Sequence, residues 1–317
     1  MHRVAGIAAG VAADRIIADP SGPFHPVAMF GAYASELEKR LYAPSRTRGA
    51  LFWAAAVLPP VVLSAVIARR APALATAVAL WACLGGSMLE DTGLRMAARL
   101  EEGDIDGARE LVPWLCSRDP ELLDAAGMAR ATVESLAENT SDAAIATLFW
   151  AGVGGAPAVV AHRCINTLDA MVGYRNSRYR DFGWASARID DLAAWLPARL
   201  TAGVHTALAA LHGNGAEAVR AWREDAPAHP SPNAGPVEAT AAAALGVRLG
   251  GLTVYGHGAE LRPVMGRGGD PDVATVRRAV SLSRTTQIAS TLIAVVLAAG
   301  ARKVRQKRSS CRLLKCE

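Results

Sequence analysis

The sequence is nearly empty of lysine. Of its 317 residues, 34 are Lys or Arg, yet lysine stands only at Lys39, Lys303, Lys307 and Lys315. Every strong base from Arg40 to Arg302 is therefore arginine. This excludes a Schiff-base lysine or a phosphate-loop lysine from the central chain. An anion bound there must be held by guanidinium forks, by histidine or by backbone N–H groups. No GxxxxGK[ST] loop, no GxGxxG after a strand, no HExxH and no GxSxG occurs, so neither a standard nucleotide fold nor a standard hydrolase can be argued. The five cysteines, at 83, 116, 164, 311 and 316, form no CxxC pair and no zinc spacing, which fits a reduced, cytoplasm-facing protein. Period-two alternation is scarce, so the chain reads as mainly α.

What the chain has instead is apolar length. Hydrophobic residues make up 51% of it and the mean hydropathy is +0.19. The net charge is +5. A first helix is expected over Val4–Ala18, retained rather than cleaved as a signal peptide and short for a membrane span. Asp19-Pro20 stops it, and an amphipathic helix follows over Val27–Leu41. Leu51–Ala68 and Ala73–Leu89 are apolar segments on either side of Arg69-Arg70, the pattern of a transmembrane hairpin with the arginines at its tip. Glu90–Ala137 is polar and helical in spacing. Ala143–Ala161 and Leu192–Leu211 are apolar again, and each is expected to span, re-enter or pack inside the protein. Gly213–Val280 is polar and punctuated by Gly and Pro. Leu282–Gly300 is a last apolar segment, and 302–317 is a basic tail, expected to be disordered and, by the positive-inside rule, cytoplasmic. The whole is expected to be one domain, 1–317: a polytopic integral membrane helical protein with amphipathic and re-entrant helices around a cytoplasm-facing site. Re-entry is preferred because, if every apolar segment spans, the polar clusters before and after Ala143–Ala161 fall on opposite sides.

Those clusters carry the chemistry. Glu138, Asn139, Ser141 and Asp142 precede the apolar stretch; Asn166, Asp169, Arg188, Asp190 and Asp191 follow it. Asn166 and Asp169, three apart, share one helical face. Carboxylate and amide oxygens are the ligands of magnesium, whose shell is usually completed by water and substrate phosphates. Arginines 163, 175, 178, 180 and 188 are placed to neutralise such phosphates. Capping and salt bridging at helix ends explain any one cluster equally well, but three clusters flanking one stretch favour a site. A second polar set runs through Arg223, Glu224 and Asp225 into His229-Pro-Ser231-Pro-Asn233. Its Pro and Gly fix an irregular backbone suited to positioning a ligand or a general base, or to capping the helix that begins near Val237.

Five long motifs resemble the CbiB/CobD family of cobalamin biosynthesis, the adenosylcobinamide-phosphate synthases. They are DRIIADPSGPFHPV, SLAENTSDAAIATLFW, INTLDAMVGYRN, FGWASARIDDLAAWLPARLTA and HPSPNAGPVEATAAAALGVRLGG, in the family's order and almost end to end. Ala143 stands where the family pattern has Gly, Thr147 where it has Pro, and His162 where it has Tyr. The resemblance implies a membrane enzyme that joins adenosylcobyric acid to (R)-1-amino-2-propanol or its O-phosphate, driven by ATP. Its expected partners are these substrates, the lipid bilayer and other proteins of the cobalamin pathway, with no nucleic acid. On that reading Glu138, Asp142, Asp169, Asp190 and Asp191 hold Mg2+, and Arg188 and Arg199 bind phosphate. His229 is the candidate base, with Asp142 and Asp169 also catalytic. Asn139, Asn166, Ser231 and Asn233 position substrate. Two alternatives stand beside it. A magnesium-dependent membrane prenyltransferase also uses Asn/Asp clusters, but its paired N-x-x-x-D-x-x-x-D motifs are missing. A transporter or membrane scaffold could line a pathway with Asp and Arg, but no paired half-repeats are evident.

Overall fold

The computed structural model describes residues 2–17, 22, 24–255 and 258–313. Asp19 and Pro20 of the first motif and residues 314–317 of the basic tail lie outside them. The protein is mainly helical, as expected. The elements begin with α1 (His2–Ile17) and α2 (Pro26–Leu41), followed by α3 (Arg46–Arg70) and α4 (Pro72–Cys83). Next come α5 (Gly86–Glu101), the short α6 (Ile105–Arg109) and α7 (Val112–Leu115), and α8 (Ala125–Asn139). A π-helical turn (Thr140–Ile145) leads into α9 (Ala146–Gly154), α10 (Ala156–Val172) and α11 (Trp184–Leu211). Then come α12 (Gly215–Glu224), α13 (Ala234–Leu245), the strands β1 (Leu249–Tyr255) and β2 (Gly258–Met265), and α14 (Val273–Leu313), which carries on into the basic tail.

Helix ends follow local chemistry. His25 caps α2, its Nδ1 accepting from the Val27 N–H with Pro26 in the first turn, and Lys39 and Arg40 close the last turn, where cations suit the helix dipole. Asp124 caps α8 by accepting from Gly127. Gly155 and Pro157 start α10, so Pro157 opens a helix rather than interrupting one.

The residues group into two compact units, each built from separate stretches of chain: Met1–Gly85, Ala146–Ala193 and Ser290 onward form the first; Gly86–Ile145 and Ala194–Ala289 form the second. The expectation of one domain over 1–317 therefore meets two units that the chain visits in turn.

The first unit centres on Phe52, Ala56, Val57, Leu168, Val172 and Phe182, contributed by α3, α10 and the segment before α11. Pro59 and Pro60 lie inside α3. Proline has no N–H, so Pro59 leaves the carbonyl of Ala55 without its helical donor; the Tyr33 hydroxyl of α2 donates to that oxygen at 2.8 Å. The second unit centres on Met96, Val112, Met128, Leu136, Leu249 and Val280.

Three stretches are long and apolar enough to cross a membrane: Arg46–Arg70, Pro72–Glu101 and Val273–Gly300. At about 1.5 Å per residue, α3 exceeds a hydrocarbon core of about 30 Å. Its outward positions Leu58, Val62, Leu63 and Val66 are exposed. The second arm of the expected hairpin is not one unbroken helix: α4 stops at Cys83 and α5 starts at Gly86, with Gly85 between them at a φ of 59°, a conformation that favours glycine. Neither Ala143–Ala161 nor Leu192–Leu211 is among the three stretches.

A strand pair accompanies the helices of this mainly α chain. β1 and β2 are antiparallel, with the register shifted between Leu249 and Gly251. Gly250 occupies this bulge at a φ of 85°, and a Cβ there would lie 2.0 Å from the Pro263 carbonyl oxygen. Only glycine fits.

Candidate functional site

In the first unit, α10 carries Asn166 and Asp169, and the start of α11 carries Arg188, Asp190 and Asp191. The Asn166 side chain hydrogen-bonds Asp190. Asp190 is buried, and its Oδ1 meets no donor. Burial, followed by the charge of Asp169, pushes Asp190 up to about 7. Burial, then Asp191, pushes Asp169 up to about 6. Asp191 is also raised, chiefly by burial, against the pull of Arg188 and Arg175. The Arg188 guanidinium is exposed and stands 3.9 Å from Asp191. The upward shifts mean that the cations nearby do not neutralise these carboxyls. Gly173, at the end of α10, gives Asp169 its place: a Cβ on Gly173 would lie 1.9 Å from Asp169 Oδ1.

This donor set fits magnesium. It offers hard oxygens, one of them buried and bare, and Mg2+ usually takes one or two carboxylates with water and phosphate oxygens. Among the described residues no group of three or more His, Cys, Asp or Glu side chains is arranged to hold an ion alone. An ion held here would therefore need further ligands from outside the protein.

The second unit holds a different cluster, which the sequence reading did not assemble. Glu134 of α8 accepts from Arg118, from the Gly250 N–H at 2.8 Å and from Arg262 at 3.2 Å. Arg262 of β2 also donates to Glu238 Oε1 of α13 and to His229 Nε2, each at 2.9 Å. Glu238 is fully buried, and its Oε2 meets no donor. Burial and the neighbouring glutamates raise Glu238 and, with it, Glu138. One turn before Glu134, Arg130 donates to the carbonyls of Gly250 and Leu252. One face of α8 thus grips the bulged start of β1. The visible signal was Glu134 and Glu138, four apart on one helical face.

The other expected site residues divide between the units. Glu138, Asn139, Asp142, Arg199, His229, Ser231 and Asn233 belong to the second; Asn166, Asp169, Arg188, Asp190 and Asp191 belong to the first. The five acids expected to share a metal are thus drawn from two units. Asp142 sits in the π-helical turn, a device frequent at functional sites. Asn139 donates back along α8 to the Ser135 carbonyl and hydroxyl. Ser231 Oγ accepts from the Asn233 and Ala234 N–H groups, which is the capping arrangement at the start of α13. Asn233 Oδ1 accepts from Arg199 at 2.7 Å, and Arg199 also lies over the Trp195 ring. Arg262 donates to His229 Nε2 at 2.9 Å, and the Ser231 N–H donates to His229 Nδ1 at 3.0 Å, with the Ser231 carbonyl oxygen 3.3 Å from the same nitrogen. Burial and the adjacent Arg262 lower its basicity. Asp225 of the second polar set pairs with Arg220 and accepts from the Gly266 N–H, a structural tie.

Long apolar helices together with buried, partly unsatisfied carboxyl groups define a helical protein of membrane character with polar chemistry built into its helices. Comparison with known proteins gives the family. The family model described as CobD/Cbib protein matches residues 7–283. The cobalamin biosynthesis protein CobD of Mycobacterium tuberculosis strain H37Rv is 47% identical over 93% of this chain and 96% of its own. CobD of Stutzerimonas stutzeri is 43% identical over 85% and 89%, and CobD of Geobacter metallireducens is 38% identical over 90% and 93%. No solved structure matches. The chain belongs to the CobD/CbiB family of cobalamin biosynthesis proteins.

Proposed function

We propose that the protein is an adenosylcobinamide(-phosphate) synthase. It forms an amide between a carboxylate of adenosylcobyric acid and the amine of (R)-1-amino-2-propanol or its O-phosphate, using ATP. The carboxylate oxygen attacks the γ-phosphorus of ATP, giving an acyl phosphate and ADP. The amine, freed of one proton, attacks the acyl carbon, and the C–O bond to phosphate breaks to release phosphate and leave the amide.

The observation that carries this reading within the family is the bare, buried Asp190 oxygen beside Asp169 and Asp191. Asp190, Asp169 and Asp191 would hold Mg2+, which neutralises phosphoryl oxygens and polarises phosphorus for attack. Arg188, exposed at the rim, faces the phosphate charge that the aspartates cannot hold. Asn166 keeps the Asp190 carboxyl oriented through its hydrogen bond. The lone pair of His229 Nε2 is engaged by Arg262, so His229 takes the ammonium proton only when that contact opens. The enzyme works from the bilayer, with the basic tail on the cytoplasmic side.

The test is reconstitution of the full chain in lipid nanodiscs with adenosylcobyric acid, Mg-ATP and either amine, followed by mass analysis of the corrinoid. The expected product carries the added aminopropanol or its phosphate, with one ADP per amide. No corrinoid of increased mass and no ATP consumption dependent on both substrates would reject the proposal.

A further inference from the structure

The second unit's glutamate cluster has one negative charge too many. Among the described residues, Glu134, Glu138 and Glu238 share the neighbourhood of two guanidinium groups, Arg118 and Arg262. Both oxygens of Glu134 are spent, on Arg118, Arg262 and the Gly250 N–H. Glu238 uses Oε1 for Arg262 and leaves Oε2 bare, although no part of the residue reaches solvent. His229, 3.6 Å from Glu238, does not supply the missing charge, because Arg262 lies against its Nε2. Glu138, on the same face of α8 as Glu134, is only half-buried and gives the cluster an edge toward solvent. A bare buried carboxylate oxygen costs several kcal/mol unless a donor reaches it or a proton occupies it.

We infer that the Glu138–Glu238 pair binds a small primary ammonium group, with Glu238 Oε2 as its buried acceptor. An ammonium brings one positive charge and three N–H donors, which matches both the charge surplus and the bare oxygen. The inference rests on the ligase reading, in which an amino alcohol is a substrate, and it names the residues that receive the amine. When the ammonium later gives up a proton to become nucleophilic, the bare Glu238 Oε2 is placed to receive it while Arg262 keeps His229 Nε2 engaged. The source of the ammonium is (R)-1-amino-2-propanol or its O-phosphate, which share the same chemistry at the amine end.

The test is calorimetric titration of the full chain in nanodiscs, without ATP or corrinoid. The probes are (R)-1-amino-2-propanol, its O-phosphate and the neutral isostere 1,2-propanediol. Binding of at least one amine and not of the diol is expected, with affinity at least about tenfold weaker in Glu238→Gln, since losing a hydrogen bond to a charged group costs more than 1.4 kcal/mol. A folded Glu238→Gln protein that binds the amine as the wild type does would overturn the inference, as would equal binding of the diol. If Glu238→Gln does not fold, Glu138→Gln decides: about tenfold weaker amine binding supports the inference and unchanged binding overturns it. Failure here leaves the ligase reading standing if the corrinoid product still forms. Absence of product with Glu238-dependent amine binding would sink the ligase reading and leave this site in place.

Discussion

Two acidic clusters in this molecule handle the same problem in opposite ways. In the first unit, Asp169, Asp190 and Asp191 crowd together with an exposed arginine at 3.9 Å and a bare buried oxygen. In the second, Glu134 and Glu238 are laced by Arg118 and Arg262, and Glu134 anchors backbone as well. A cluster left short of cations is a place for a cation to arrive. A cluster already cross-linked mainly holds the fold and has room for one further charge. Removing a carboxylate should therefore damage activity in the first unit and stability in the second.

The largest effect should come from Asp190→Ala. Turnover in the reconstituted assay is expected to fall by about 10^2–10^4-fold, the loss of a metal's several kcal/mol of charge stabilisation, with thermal unfolding little changed. Near-wild-type turnover would break the contrast. Next is Glu134→Ala, which strands the buried Arg118 guanidinium and leaves Arg262 its Glu238 partner. Breaking a buried pair from one side costs about 3–5 kcal/mol, to be read as a lower midpoint in thermal or denaturant unfolding. An unshifted midpoint would mean that the second cluster is not structural. Gly173→Ala sharpens the first cluster. The new methyl must displace the Asp169 carboxylate, and overpacking of this kind costs about 1–3 kcal/mol; magnesium affinity should drop, and Gly173→Ser should do no better. The last prediction concerns pH. Asp169 and Asp190 have folded values near 6 and 7 against about 3.9 unfolded. The folded state binds more protons in that window, so with chelator present stability should fall as pH rises from about 4 to about 7. Magnesium should oppose the fall most strongly at the upper end, where it no longer competes with protons. A flat chelator profile would place the aspartates in a neutralised environment after all.

Much of the fold was legible because punctuation is strong. The Arg69-Arg70 break and the helix end at Leu41 mark ends that the structure keeps. The break at Gly85 was missed because apolar residues continue across it, and composition does not register one residue at positive φ. The strand pair was missed because β1 opens on Leu-Gly-Gly with a bulge, which breaks the alternation that reveals a strand. The aspartate cluster could be read from Asn166–Asp169 spacing and the Asp190-Asp191 pair. The glutamate cluster could not, since Arg262 lies 128 residues from Glu134, and no local pattern announces so distant a partner. The motifs that resemble the family reached further than periodicity did, because they preserve side chains whose neighbours come from elsewhere in the chain.

The paired prolines of α3 bear on how the protein is assembled. A span with every peptide group satisfied from within can enter lipid alone, but α3 cannot: the oxygen that Pro59 abandons is completed by the phenol of Tyr33 on the preceding helix. In hydrocarbon that oxygen has no water to turn to. The two helices are thus obliged to meet early, and Tyr33→Phe should slow insertion of α3 only while proline remains at position 59.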